Sequence, residues 1–93
     1  MSGAGPLAEA LEGHKPLVRQ LREIKGVSET RPGVLLLRGK PFVTFVVAGE
    51  GLVADLLKPG GSGVDRMPLG SPPQQRKLVD EAKLRAKRLD DAD

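Results

Sequence analysis

The chain has 93 residues, a net charge of +3 and no cysteine. This length fits one small domain with a modest core, and the missing cysteines exclude disulfides, thiolate metal sites and cysteine nucleophiles. Hydrophobic residues form 39% and charged residues 29% of the chain, which argues against disorder throughout. Phe42 and Phe45 are the only aromatic residues, so we expect a core of leucine and valine.

The N-terminal residues lack a basic region followed by an apolar run, so no signal peptide is predicted. The longest apolar region, Val34–Leu57, is interrupted by Arg38, Lys40, Glu50 and Asp55, and we reject it as a membrane span. We therefore expect a soluble, cytoplasmic protein with no membrane and no metal among its partners.

The first third of the chain predicts two short helical segments after a disordered start at residues 1–5. A frayed turn is expected over Pro6–Glu12, and a firmer helix from about Pro16 to Lys25, because proline is tolerated in the first turn. Gly26 is placed to end this helix as a C-terminal cap.

The middle of the chain predicts an antiparallel meander, because short apolar runs alternate with glycine-rich turns. The predicted strands are Val27–Arg31, Val34–Leu37, Phe42–Val47, Leu52–Leu57 and, at an edge, Val64–Leu69. Their connections are too short for the crossovers that a parallel sheet needs.

The segment Ser71-Pro72-Pro73-Gln74 is a capping-box signature and predicts a helix from Pro72 to about Leu89. Its apolar stripe consists of Leu78, Val79, Ala82, Ala86 and Leu89. We predict one α+β domain over residues 6–89, an antiparallel β-meander of three to five strands flanked by N- and C-terminal helices. Residues 90–93 would form an acidic tail.

The candidates for catalysis are weak. Gly39-Lys40 suggests a phosphate-binding loop, but the spacing from Gly33 is wrong and Pro41 stands where the motif needs a hydroxyl. His14 is the only histidine, and no second carboxylate is clearly placed to work with Asp55. We therefore predict that the protein is not an enzyme and uses no cofactor.

The last helix carries the strongest charge pattern, and nucleic-acid binding is the alternative function that it suggests. The candidate phosphate contacts are Arg76, Lys77, Lys83, Arg85, Lys87 and Arg88. Asp80 and Glu81 lie among them, and charged helices of small proteins are usually solvated faces. We therefore favour the interpretation that this charged helix is a solvated face.

The strand Phe42–Val47 scarcely alternates between apolar and polar residues, although a sheet with one wet face should do so. Two helices can cover one face, so a second subunit could cover the other. We predict a homodimer with Phe42, Thr44 and Val46 at the protein interface.

Four segments, GVSETRPG, LLLRGKPFVTFV, GLVADL and KLVDEAKLRAKRL, resemble the MmcQ/YjbR-like group of small bacterial proteins. The matching features are Gly26-Val27, Gly39-Lys40 with Phe42, and the basic run Lys77–Leu89. The resemblance covers Pro16–Leu89, although this chain lacks the tryptophan of the group. It implies an α-β-meander-α fold, favours DNA binding modestly and carries over no catalytic residue.

From these features we predict a small non-catalytic binding or adaptor domain that acts through protein–protein contacts as a homodimer.

Overall fold

The computed structural model describes residues 6–49, 51–60 and 62–91. The elements in chain order are α1 (Pro6–Glu12), α2 (Lys15–Arg22), β1 (Val27–Arg31), β2 (Val34–Leu37), β3 (Lys40–Ala48), β4 (Gly51–Leu57), β5 (Val64–Pro68) and α3 (Pro72–Asp91). The strands form one antiparallel sheet in the order β1-β2-β3-β4-β5, with helices from both ends of the chain. The predicted α+β meander is confirmed.

Helix α2 ends earlier than the sequence predicted. The N–H of Ile24 bonds to the carbonyl of Leu21 at 3.2 Å, a tightened turn that closes the helix before Gly26. Gly26 has a φ of +89°, and its carbonyl accepts the N–H of Arg38 at 3.0 Å. The prediction that Gly26 caps α2 is therefore wrong, because this glycine sets the start of β1.

The Gly39-Lys40 pair belongs to a hairpin turn between β2 and β3. Arg38 and Gly39 both have positive φ, 52° and 86°. Two consecutive residues with positive φ make the tight turn whose twist matches the flanking strands. Lys40 is already the first residue of β3.

The core lies between the helices and one face of the sheet. The sheet contributes Leu35, Leu37, Phe42, Val43, Phe45, Leu52, Ala54 and Leu56, and the long helix contributes Leu78, Val79, Ala82 and Ala86. Phe42 joins this core because the β2–β3 register shifts beside it, with Leu35 opposite Val43 but Leu36 opposite Pro41. The bulge turns both Phe42 and Val43 toward the helices.

Helix α3 begins at Pro72, as predicted, and its predicted apolar stripe packs on the core. It continues to Asp91, so residues 90 and 91 belong to the helix and not to a separate tail. The side chain that anchors its start is Gln75, not the predicted Gln74, since the Gln75 amide donates to the carbonyl of Leu69 at 3.1 Å. The predicted disordered residues 1–5 and the end of the predicted tail, residues 92–93, lie outside the described residues.

Candidate interaction surfaces

The sheet face turned away from the helices carries a continuous set of side chains across the strands. Register places Val34 beside Thr44, Thr44 beside Asp55 and Asp55 beside Arg66, so these four form one cross-strand row. Residues two positions along each strand share that face. We call this surface the open face, and it comprises Val34, Leu36, Thr44, Val46, Val53, Asp55, Leu57, Val64, Arg66 and Pro68.

The open face is more apolar than a wet sheet surface requires. Val46 and Val53 are paired across β3 and β4, and Val53 is only 6% exposed although it does not belong to the helix-covered core. Val34, Leu36 and Leu57 are half-buried elsewhere on the same face. An antiparallel sheet with one solvated face normally places polar residues there. This face therefore has the composition of a surface that a partner covers.

An ion pair joins β4 to the edge strand β5 on the open face. Arg66 donates from Nε to Asp55 Oδ1 at 2.9 Å and from a terminal nitrogen to Asp55 Oδ2 at 3.3 Å. The hydrogen bond to Asp55, and then the charge of Asp55, raise the pKa of Arg66. The two-point contact fixes both side chains, and Asp55 serves here as a structural partner of Arg66.

The predicted interface residues separate into two groups. Thr44 and Val46 lie on the open face, where they are half-buried. Phe42 is 1% exposed and packs in the helix-covered core, because of the bulge described above. Phe42 is thus inaccessible to a partner in this fold, and the bulge also accounts for part of the missing alternation in this strand.

A second surface is the groove between α2 and α3. It consists of two clefts that share Gln20, one of about 420 Å³ and one of about 210 Å³. We call this groove the furrow. Its lining residues at the larger end are Gln20, Glu23, Ile24, Lys25, Lys83, Ala86 and Lys87, and at the smaller end Pro16, Leu17, Gln20, Pro72, Gln75, Arg76 and Val79.

Four cationic side chains line the furrow, and they come from two helical segments that are distant in sequence. Arg76, Lys83 and Lys87 lie on one line along α3, because their spacings of seven and four residues match the helical repeat. Lys25, just after α2, lines the same cleft as Lys83 and Lys87. All four are exposed, and none of them has an ion pair among the described residues.

The other three predicted nucleic-acid contacts lie elsewhere. Arg85 has a side chain only 13% exposed and binds Asp65 at 3.0 Å, Glu81 at 3.2 Å and the carbonyl of Leu57 at 3.2 Å. It fastens α3 to the sheet and is not available to a ligand. Lys77 lines a different hollow beside β5. Arg88 lies eleven residues later, about three helical turns, so it shares one side of α3 with Lys77. We call this side, which is outside the furrow, the outer line of α3.

Sequence reasoning did not find Lys25 as a companion of the helix α3 cations. No signal in the neighbouring sequence identifies Lys25, because it lies about sixty positions from Lys83. The two residues come close only through the packing of α2 against α3. The apolar faces of both helices were visible in the sequence, but their adjacency was not.

The remaining candidates have structural partners. His14 Nδ1 lies 2.7 Å from the carbonyl of Ala10, at the junction of α1 and α2. Across residues 6–49, 51–60 and 62–91, no three His, Cys, Asp or Glu side chains are grouped closely enough to hold a metal ion. Within the same residues, no helix has the length and apolar character needed to cross a bilayer.

No family model, curated protein or solved structure matches this chain. Any functional assignment therefore rests on the open face and the furrow themselves.

Proposed function

We propose that this protein is a small non-catalytic binding module that self-associates through the open face of its sheet. The observation that supports the proposal is the set of apolar side chains on that face, among them the half-buried Val46 and its cross-strand partner Val53. A second copy that covers Val46 and the half-buried Val34, Leu36 and Leu57 would remove apolar surface from water, at about 25 cal/mol per Å².

The size of the open face suits a small dimer interface. Four strands, β2 to β5, about 4.8 Å apart and roughly 20 Å long give a projected area of about 400 Å² on each copy. The accessible area is larger because side chains corrugate the surface, which brings two copies near the roughly 1,200 Å² of the smallest specific interfaces. We expect a reversible dimer in the micromolar range.

The edges of the sheet favour stacking of faces over extension of the sheet. At one edge, β1 is irregular between Glu29 and Arg31 and carries these two charged residues there. At the other edge, Pro68 in β5 has no N–H to donate. Bulges, charges and proline are the devices that keep edge strands from pairing. A second copy is therefore expected on the open face.

The oligomeric state tests this proposal. Sedimentation equilibrium well above that range, at about 100 μM chain, should report close to twice the 9.9 kDa of one chain. Val46→Lys should give the single-chain mass, because it places a charge among the apolar side chains of the open face.

Val47→Lys is the matched control. Val47 is the next residue of the same strand, points to the opposite side and is 40% exposed. This variant should remain a dimer. A wild-type mass of one chain, or equal dissociation of the two variants, would remove the support for the open face as the interface.

A further inference from the structure

We propose that the furrow between α2 and α3 binds an acidic, amphipathic peptide segment of a protein partner. This proposal does not depend on self-association through the open face, since the furrow is built by the helices and the open face lies on the other side of the sheet. If both proposals hold, one side of the module joins two copies and the other side recruits the partner.

The positive charge of the furrow indicates that its ligand is an anion. Lys25, Lys83 and Lys87 line the larger cleft of the furrow and Arg76 lines the smaller one, and none of the four has an ion pair in the described part of the chain. Like charges that converge on a groove repel one another and raise the local concentration of anions. An anionic ligand relieves that repulsion, and its attraction falls as salt rises.

The apolar floor of the furrow and the carboxylates in or near it favour an acidic peptide over a nucleic acid as the ligand. Ile24 is half-buried in the floor, where it can receive an apolar side chain. Glu23 lines the groove, and Asp80 lies on α3 between Arg76 and Lys83. A phosphate backbone, with one charge on every nucleotide, would meet these carboxylates, whereas a peptide can place its acids opposite the lysines alone.

The chain also lacks the means to stack bases at this surface. Its only aromatic residues, Phe42 and Phe45, are 1% and 2% exposed in the core. Sequence-tolerant binding of single strands relies on stacking between bases and aromatic side chains. The furrow instead combines an apolar floor with a basic rim, the arrangement that receives the apolar face of an amphipathic helix.

The length of the furrow sets the size of the ligand. From Arg76 to Lys87 the line of cations spans eleven residues of α3, or about 16 Å at 1.5 Å per residue. A helical peptide of about twelve residues has the same length. Two turns of such a peptide can present acids to Lys83 and Lys87 while an apolar residue contacts Ile24.

The test uses fluorescence anisotropy with the full chain and a labelled glutamate–leucine peptide of about twelve residues, amphipathic as a helix. We expect saturable binding that Lys83→Gln with Lys87→Gln weakens about tenfold, since each exposed ion pair contributes up to about 1 kcal/mol. The matched control, Lys77→Gln with Arg88→Gln, removes the same charge from the outer line of α3 and should change affinity less than about twofold. Circular dichroism verifies that both variants remain folded.

Each other outcome overturns the proposal. If both double variants weaken binding equally, or if a scrambled peptide of the same composition binds equally well, the binding depends only on net charge and not on the furrow. If random-sequence DNA or RNA binds more tightly than the peptide, and this binding depends on the furrow cations, the ligand is a nucleic acid. Absence of binding at low salt would leave the furrow a solvated surface.

The Val46→Lys variant separates this proposal from the preceding one. It should bind the peptide with unchanged affinity even if it is a monomer. Furrow binding by a wild-type chain that is monomeric would overturn the dimer and leave the peptide proposal standing.

Discussion

Gly33 shows how closely one residue can determine the packing of a helix. It lies in the β1–β2 turn with a φ of +83°, and its carbonyl accepts the N–H of Phe45 at 2.8 Å. A Cβ atom at this position would lie 3.3 Å from Leu7 Cδ2 and 3.4 Å from Leu11 Cδ1. The turn therefore requires the conformational freedom of glycine and the small size of glycine at once.

Substitution of two glycines separates these requirements. Gly39→Ala should lower the free energy of unfolding by about 1–2 kcal/mol through left-handed strain alone, because nothing lies within 4 Å of its Cβ position. Gly33→Ala should lose about 1 kcal/mol more by crowding the leucines of α1. Urea unfolding followed by circular dichroism measures both, and equal losses would contradict the close approach of α1.

Arg85 illustrates a cation whose role is internal. Arg85→Gln should lower the free energy of unfolding by about 1–2 kcal/mol, because it removes charge-assisted bonds to Asp65 and Glu81 at a mostly buried side chain. Arg88→Gln, the exposed control three residues later, should stay within about 0.5 kcal/mol. Thermal unfolding in low and high salt distinguishes them, and similar losses in both variants would refute the internal role.

At the scale of elements, the start of α3 depends on Gln75. Its amide closes the link between the helix and the carbonyl of Leu69, a residue 2% exposed. Gln75→Ala should cost about 1 kcal/mol of unfolding free energy, the usual contribution of such a hydrogen bond. Gln74→Ala removes the same side chain from an exposed position and should cost much less. The reverse order of the two losses would restore the capping role that the sequence predicted for Gln74.

The elements also show which features the sequence could predict. Strand positions and the start of α3 followed from local signals, since apolar runs, glycine turns and Pro72 act within a few residues. The bulge that buries Phe42 depends on pairing with β2, and the engagement of Arg85 depends on β5 and the end of β4. Basic residues near the end of a helix also complement its dipole, so charge alone could not distinguish the furrow cations from the others.

At the scale of the whole molecule, self-association couples stability to concentration. A dimer that forms only from folded chains raises the melting temperature as protein concentration rises. We expect this dependence for the wild type and for Val47→Lys, and a constant melting temperature for Val46→Lys. Scanning calorimetry over a wide concentration range measures the effect. A constant melting temperature for the wild type would argue against the open-face dimer.

The meander places its first and last strands at opposite edges of the sheet. Every neighbouring pair is antiparallel, so β1 and β5 run in the same direction and the chain enters the sheet at one end of its strands and leaves at the other. Tension applied through α2 and α3 would therefore run diagonally over the sheet. It would load the backbone hydrogen bonds of the two edge strands in shear as well as by peeling.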